Sequence, residues 1–369
     1  MPDHYDVIVI GSGAGGGTLT HALAPTGKRV LLLERGGWLP REPQNWDPQS
    51  IWADLRYRNA GDWTDADTGR AFNPKQHYYV GGNTKVYGAV LFRFRERDFG
   101  EVRHVDGISP AWPIGYADLE PWYTRAEHLY SVHGERGVDP LDPPSASPYP
   151  HPPISHEPRI AQLTDDLRAA GLHPFPLPMG ILIDEARPEA SACIRCATCD
   201  GFPCLVKGKA DAQVVCVEPA LCHPNVTLRT GARVTRLETT PDGRSVSRVV
   251  VDRDGEREEY TADVVVLAAG AINSAALLLA SARDPVTMGF DAPDAEDPAE
   301  LARHSLDFWM TTEDLPLPGN RVMLGPDGGI RLSYTPTNLE AHRRLLARFR
   351  GLLDAMRCRP EVYGRNTYL

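Results

Sequence analysis

The sequence predicts an α/β chain built around a doubly wound parallel sheet, and three observations predict it. Residues Asp6–Ile10 (DVIVI) form an almost purely apolar, β-branched run, the pattern of a strand buried on both faces. That run enters Gly11-Ser-Gly-Ala-Gly-Gly-Gly17, then a helically spaced segment Thr18–Ala24, then a second apolar run Arg29–Leu33 ending at Glu34. Together they make one βαβ unit of about 30 residues. Far along the chain, Ala262–Leu267 repeats the buried-strand pattern and opens through Ala268-Ala-Gly270 into a helix over Asn273–Ala282.

Composition sets the limits. A chain of 369 residues is expected to hold two domains. Hydrophobic residues at 42% and charged residues at 24% exclude wholesale disorder and a coiled coil. Thirty-three Gly and 33 Pro point to long irregular connections. A net charge of −10 gives no electrostatic reason to bind nucleic acid or an anionic membrane. No apolar run reaches the roughly 18 residues a membrane span needs. The start, MPDHYD, lacks the basic segment of a signal peptide, so a cytoplasmic location is expected. Seven cysteines, an odd number without an export signal, argue against a disulfide framework.

Between the two glycine turns the pattern changes repeatedly. Gly36–Tyr79 scatters Trp, Pro, Asp and Arg without period and reads as an extended loop region. Tyr78–Phe94 opens on the pair Gly81-Gly82, which permits close backbone approach to a flat or charged ligand. Ala117–Val132 fits an amphipathic helix, Asp139–Pro158 a proline-rich linker or surface arm, and His156–Gly171 a further helix. Ala192–Cys222 is rich in cysteine. Val226–Leu237 and Ser245–Val251 read as strands of a small sheet turning at Pro241-Asp-Gly243. Asp307–Thr312 and Ile330–Tyr334 read as strands of a second sheet, and Asn338–Met356 as a helix with an Asn cap.

Gly11, Gly13 and Gly16 spell G-x-G-x-x-G, with a strand before, a helix after, and Glu34 ending the next strand 23 residues beyond Gly11. Gly11 permits the tight turn, Gly13 lets the backbone approach a pyrophosphate, and Gly16 lets the helix lie close on the strand. The helix N-terminus offers free N–H groups to phosphates. Glu34 can accept from ribose hydroxyls, and its charge argues against NADP. The fingerprint alone does not separate FAD from NAD.

Several stretches together resemble the glucose–methanol–choline (GMC) family of FAD-dependent oxidoreductases. They are Asp6–Gly17 with Leu33–Gly36, Val80–Gly88 (VGGNTKVYG) as the first signature, Ala232-Arg-Val234, and Val264–Ala282 (VVVLAAGAINSAALLLASA) as the second. The likeness runs over roughly residues 5–283. It implies a Rossmann-like FAD-binding domain with a smaller, incomplete α+β substrate domain. It implies FAD as cofactor and oxidation of the CH–OH group of an alcohol or sugar by hydride transfer to flavin N5. The implied partners are a small-molecule alcohol or sugar and an electron acceptor. In this reading Gly11, Gly13 and Gly16 frame the pyrophosphate, Glu34 holds ribose, Gly82 and Asn83 lie at the flavin end, and the Val234 backbone meets adenine. The expected division is 1–105 and 221–290 for the FAD-binding domain, 106–220 for an insertion or cap, and 291–369 for a remnant of the substrate domain.

The sequence also departs from that family. The family's C-terminal region, with its catalytic His and partner His or Asn, is not recognisable after Met356. His77 lies nearest a flavin motif and His304 in a segment without assignment; both read as structural, so no residue is assigned as catalytic. Cys193, Cys196, Cys199 and Cys204 read C-x2-C-x2-C-x4-C. Such spacing suits a metal or an iron–sulfur cluster, or reduced structural thiols, or loop-stapling disulfides, and no metal ligand is assigned. Two alternatives to the enzyme reading follow: a truncated, non-catalytic FAD-binding fragment, and a flavin/iron–sulfur electron-transfer protein.

Overall fold

The computed structural model describes residues 3–59, 61–104, 107–240, 245–281, 315, 317 and 319–355. The chain divides into two units: Met1–Ala89 with Gly180–Asp291 and Arg321–Ser333, and Val90–Met179 with Ala292–Asn320 and Tyr334–Leu369.

In the first unit, the apolar runs become the centre of a six-stranded sheet. Asp3–Ile10 lies between Glu256–Leu267 and Val30–Leu33, parallel to both, and Val30–Leu33 pairs parallel with Val226–Arg229. Side chains alternate across a strand, so each run feeds two cores. Ile8, Ile10, Leu31 and Leu33 pack on one face with Leu237, Val249, Val251 and Tyr260. Val7, Val9, Val30 and Leu32 pack on the other with Val80, Val217 and Ala220. Burial on both faces is why these runs carry no polar alternation.

The small sheet expected over 226–251 does not stand alone. Gly231, at φ +64°, breaks the expected strand Val226–Leu237 in two. The first half, Val226–Arg229, is an edge of the main sheet, and the second, Ala232–Thr239, pairs antiparallel with Val246–Arg253. The 12-residue strand Glu256–Leu267 joins both arrangements: its start pairs antiparallel with Val246–Arg253, and its end pairs parallel with Asp3–Ile10.

A second sheet of the same unit orders Arg321–Leu324, Ile330–Ser333, Trp63–Asp65 and Ala71–Phe72. Trp63, Val322, Leu332 and Ala276 form its core. Two strands therefore lie inside Gly36–Tyr79, where an extended loop was expected. They are too short to show a period. Helices Ala14–Leu23 and Ala271–Ser281 follow the two glycine turns as expected. The expected strand Asp307–Thr312 lies outside the described residues.

The second unit holds helices Tyr116–Leu129, Pro158–Ala169 and Leu339–Ala355. Within it Arg93 is buried, its side chain 1% exposed. Arg93 donates to both oxygens of Glu127 at 2.7 Å, to Tyr116 Oη at 2.9 Å and to Thr124 Oγ1 at 2.9 Å. The proline-rich segment is tied down in this unit. Tyr116 Oη donates to Pro144 O at 2.6 Å, Glu120 Oε1 accepts Ala146 N at 3.1 Å, and the His133 and His151 rings stack with centroids 4.7 Å apart.

Candidate functional site: a double-glycine cradle at a helix N-terminus

Strand Asp3–Ile10 ends in Gly11, at φ +100°, where a Cβ would lie 2.5 Å from the Ala268 carbonyl oxygen. Only glycine allows the turn to sit that close to the neighbouring strand end. Helix Ala14–Leu23 then starts with Gly13 as its N-cap, no side-chain cap and no acidic residue in its first turn. Its leading N–H groups are therefore left for another acceptor. A Cβ on Gly16 would lie 1.9 Å from the Gly11 carbonyl oxygen, so this glycine serves packing. A Cβ on Gly13 would meet nothing within 4 Å, so this glycine borders open space.

Glu34, at the end of Val30–Leu33, is 5% exposed. Its Oε2 accepts Ser12 N at 3.1 Å and Ser12 Oγ at 2.6 Å, and its Oε1 accepts Gly36 N at 2.9 Å. The Ser12 hydroxyl in turn accepts Gly81 N at 3.1 Å. Gly81 and Gly82 are both left-handed, at φ +98° and +55°. A Cβ on Gly82 would lie 3.2 Å from Gly13 Cα, so the two glycine turns face each other across bare backbone.

The structure thus brings together Gly11, Gly13, Gly16, Glu34 and Gly82. Val234 sits two residues beyond Ala232, whose N–H donates to the Glu34 carbonyl at 2.9 Å. Asn83 is exposed, and its Oδ1 accepts His77 N at 2.8 Å. His77 is partly buried; burial pushes its imidazole below the ordinary histidine range, against a hydrogen bond to the Tyr57 backbone. Its Nδ1 is buried with no hydrogen-bond partner. His304 lies outside the described residues. Beside Glu34, the Arg35 guanidinium stacks 3.7 Å over the Tyr78 ring, and burial lowers its pKa.

Sequence reasoning missed three members of the site. Ser12 is an unspecified position of the fingerprint, yet it links Glu34 to Gly81. Lys85 and Asp211, 126 residues apart, form an ion pair at 2.8 Å with side chains 3% and 1% exposed. No local pattern connects such distant residues.

The cysteine-rich segment is built onto the same unit. Lys209, 2% exposed, donates to the carbonyls of Cys199 at 2.7 Å and Phe202 at 2.9 Å. Cys193, Cys196, Cys199 and Cys204 are free thiols lining one cavity with Ile181 and Lys209. Burial raises the pKa of Cys193 and Cys199. Among the described residues, no group of three or more His, Cys, Asp or Glu side chains is placed to hold a metal ion.

With this geometry in view, residues 5–286 match the family model for GMC oxidoreductases. The chain belongs to the GMC oxidoreductase family. It is 36% identical over 287 residues to 6'''-hydroxyparomomycin C oxidase of Streptomyces lividus, covering 75% of this chain and 50% of that one. It is 34% identical to paromamine 6'-oxidase of Streptomyces fradiae, covering 75% and 49%. The chain spans about half the length of the relatives it matches. An FAD-dependent oxidoreductase from Chaetomium thermophilum matches the fold at TM-score 0.50 and 15% identity, covering 75% of this chain and 47% of that one. The matched span takes in both glycine turns. Among the described residues, no helix is long and apolar enough to cross a membrane.

Proposed function

We propose that this chain binds FAD and belongs to an oxidoreductase acting on the CH–OH group of an alcohol or sugar. The observation that carries the reading is the cradle: open space at Gly13, bare backbone at Gly82, an uncapped helix N-terminus and a buried acidic acceptor, all in one place. These residues fit the cofactor. Gly11, Gly13 and Gly16 frame its pyrophosphate. The Glu34 carboxylate has about four acceptor positions, of which three are used, leaving one on Oε1 for a ribose hydroxyl. Gly82 and Asn83 flank the flavin end, and the Val234 backbone meets adenine. Bound FAD would supply a two-electron acceptor for hydride from a CH–OH carbon.

The relatives' names place oxidation on paromamine and on a hydroxyparomomycin, which supports a polyhydroxylated, amine-bearing sugar as the substrate class. The expected electron acceptor and cytoplasmic location belong to the same reading. So does the assignment of residues 106–220 as an insertion or cap. No side chain is placed as the catalytic base.

The test has two steps. The visible spectrum of purified protein, before and after heat release, reads the cofactor. Turnover with an artificial acceptor and a panel of amino sugars, sugars and simple alcohols reads the activity. FAD in the supernatant with turnover on any of these supports the proposal. FAD without turnover leaves the non-catalytic alternative, and a colourless protein that takes up no added FAD sinks the reading.

A further inference from the structure

The Lys85–Asp211 pair has a feature that stability does not explain. Both side chains are buried, at 3% and 1% exposed, and taking two charges out of water rarely stabilises a fold more than apolar packing would. The pair sits where geometry matters most. Lys85 closes the short helical turn Gly82–Lys85, and its stem runs beneath Gly81, where a Cβ would lie 2.9 Å from Lys85 Cδ. Asp211 is itself held, since its Oδ1 accepts Val214 N at 3.1 Å. The next residue, Ala212, donates its N–H to Thr84 Oγ1 at 3.0 Å, and that hydroxyl donates to the Gly81 carbonyl at 2.5 Å. Gly81 is therefore tethered twice, through its N–H to Ser12 and through its carbonyl to Thr84.

We propose that Lys85 and Asp211 are positioning residues for the cofactor: their buried ion pair sets the left-handed Gly81–Gly82 turn against Gly13, so that the cradle is preformed before FAD arrives. This rests on the FAD reading above. A preformed site avoids the ordering cost that a loose turn would add on binding. The pair is retained for the shape of the site, and its removal separates binding from stability.

The experiment uses the full chain and the paired variant Lys85→Met/Asp211→Asn, which removes both charges and keeps the acceptor for Val214 N. Thermal unfolding without FAD, quenching of flavin fluorescence, and visible circular dichroism of the bound flavin are measured. The expected result is an unfolding temperature close to wild type, FAD affinity lowered at least tenfold, and an altered dichroic band. An equal Kd and an unchanged band in the paired variant overturn the positioning role. If the paired variant does not fold, Lys85→Arg, which keeps the charge but not the compact ammonium, is titrated instead; tenfold weaker binding supports the role and unchanged binding overturns it. A wild-type chain that takes up no FAD removes the functional reading itself and this inference with it.

Discussion

Ser12 Oγ donates to Glu34 Oε2 at 2.6 Å while accepting the N–H of Gly81, so one hydroxyl joins the fingerprint turn, the acidic strand end and the second glycine turn. Glu34 is consequently oriented before any ribose reaches it. Glu34→Gln keeps the shape but replaces the charged acceptor. A hydrogen bond to a charged group contributes about 1.5–3 kcal/mol, so FAD should bind roughly tenfold to a hundredfold more weakly. Fluorescence titration measures this. Unchanged affinity would show that Glu34 serves Ser12 and Gly36 alone.

Two glycines of one motif should behave oppositely. Gly16→Ala forces a Cβ to within 1.9 Å of the Gly11 carbonyl oxygen, so the helix must leave the strand. The expected loss is about 3 kcal/mol or more, within the range of severe packing defects, and is read as a lowered Tm in the absence of FAD. Gly13→Ala adds a Cβ into open space at φ −67°, a conformation alanine accepts. Its Tm should stay near wild type while FAD affinity falls, because the methyl occupies the pyrophosphate's approach. A Gly13→Ala chain that binds FAD normally would contradict the cradle.

The second unit should depend on Arg93. Arg93→Met leaves Glu127 buried with Arg136, 2.6 Å away, as its remaining ion-pair partner among the described residues. Breaking a buried pair from one side costs about 3–5 kcal/mol, and the low end is expected because Arg136 stays. Arg93→Lys should recover little, since an ammonium cannot span both carboxylate oxygens. Thermal unfolding of both variants checks this. A Lys variant as stable as wild type would refute the bidentate account.

What could be read from the residues follows from distance along the chain. The βαβ unit is local: Asp6–Ile10, the three fingerprint glycines and Glu34 declare themselves within one window. The glycine pair at 81–82 is equally local. Lys85 and Asp211 are not, because a buried ion pair between residues 126 apart leaves no periodic trace. The break at Gly231 was present in the sequence, but apolar residues on both sides made one strand of Val226–Leu237 until pairing sent each half to a different partner. The proline-rich segment reads as an arm because proline forbids regular pairing; its attachment through Tyr116 and Glu120 is tertiary. Lys209 and Asp211 lie within the cysteine-rich stretch, and only folding sets one on the Cys199 carbonyl and the other on Lys85.

The thiols should sort by exposure. Cys222 is exposed, whereas burial raises the pKa of Cys193 and Cys199 and lowers their thiolate fraction at neutral pH. Only the thiolate reacts. With a disulfide reagent at pH 8, Cys222→Ser should remove one fast equivalent, and Cys193→Ser or Cys199→Ser should remove slow ones. The slow rates should keep rising as pH passes the ordinary thiol range. Fast labelling of Cys193 at pH 8 would contradict its burial.

Acid should weaken the fold through His77. Burial holds its folded pKa below the unfolded value, which is about 6.5. Above that value His77 is neutral in both states and contributes no slope. Below it the unfolded chain takes up a proton that the folded chain resists, so stability falls with falling pH until the lower, folded pKa is reached, and then levels. His77→Gln removes the titration while keeping a polar side chain. Denaturant unfolding at pH 7 and pH 5 should show a smaller loss in the variant than in wild type. Equal losses would mean that His77 takes up its proton in the folded state as easily as in the unfolded.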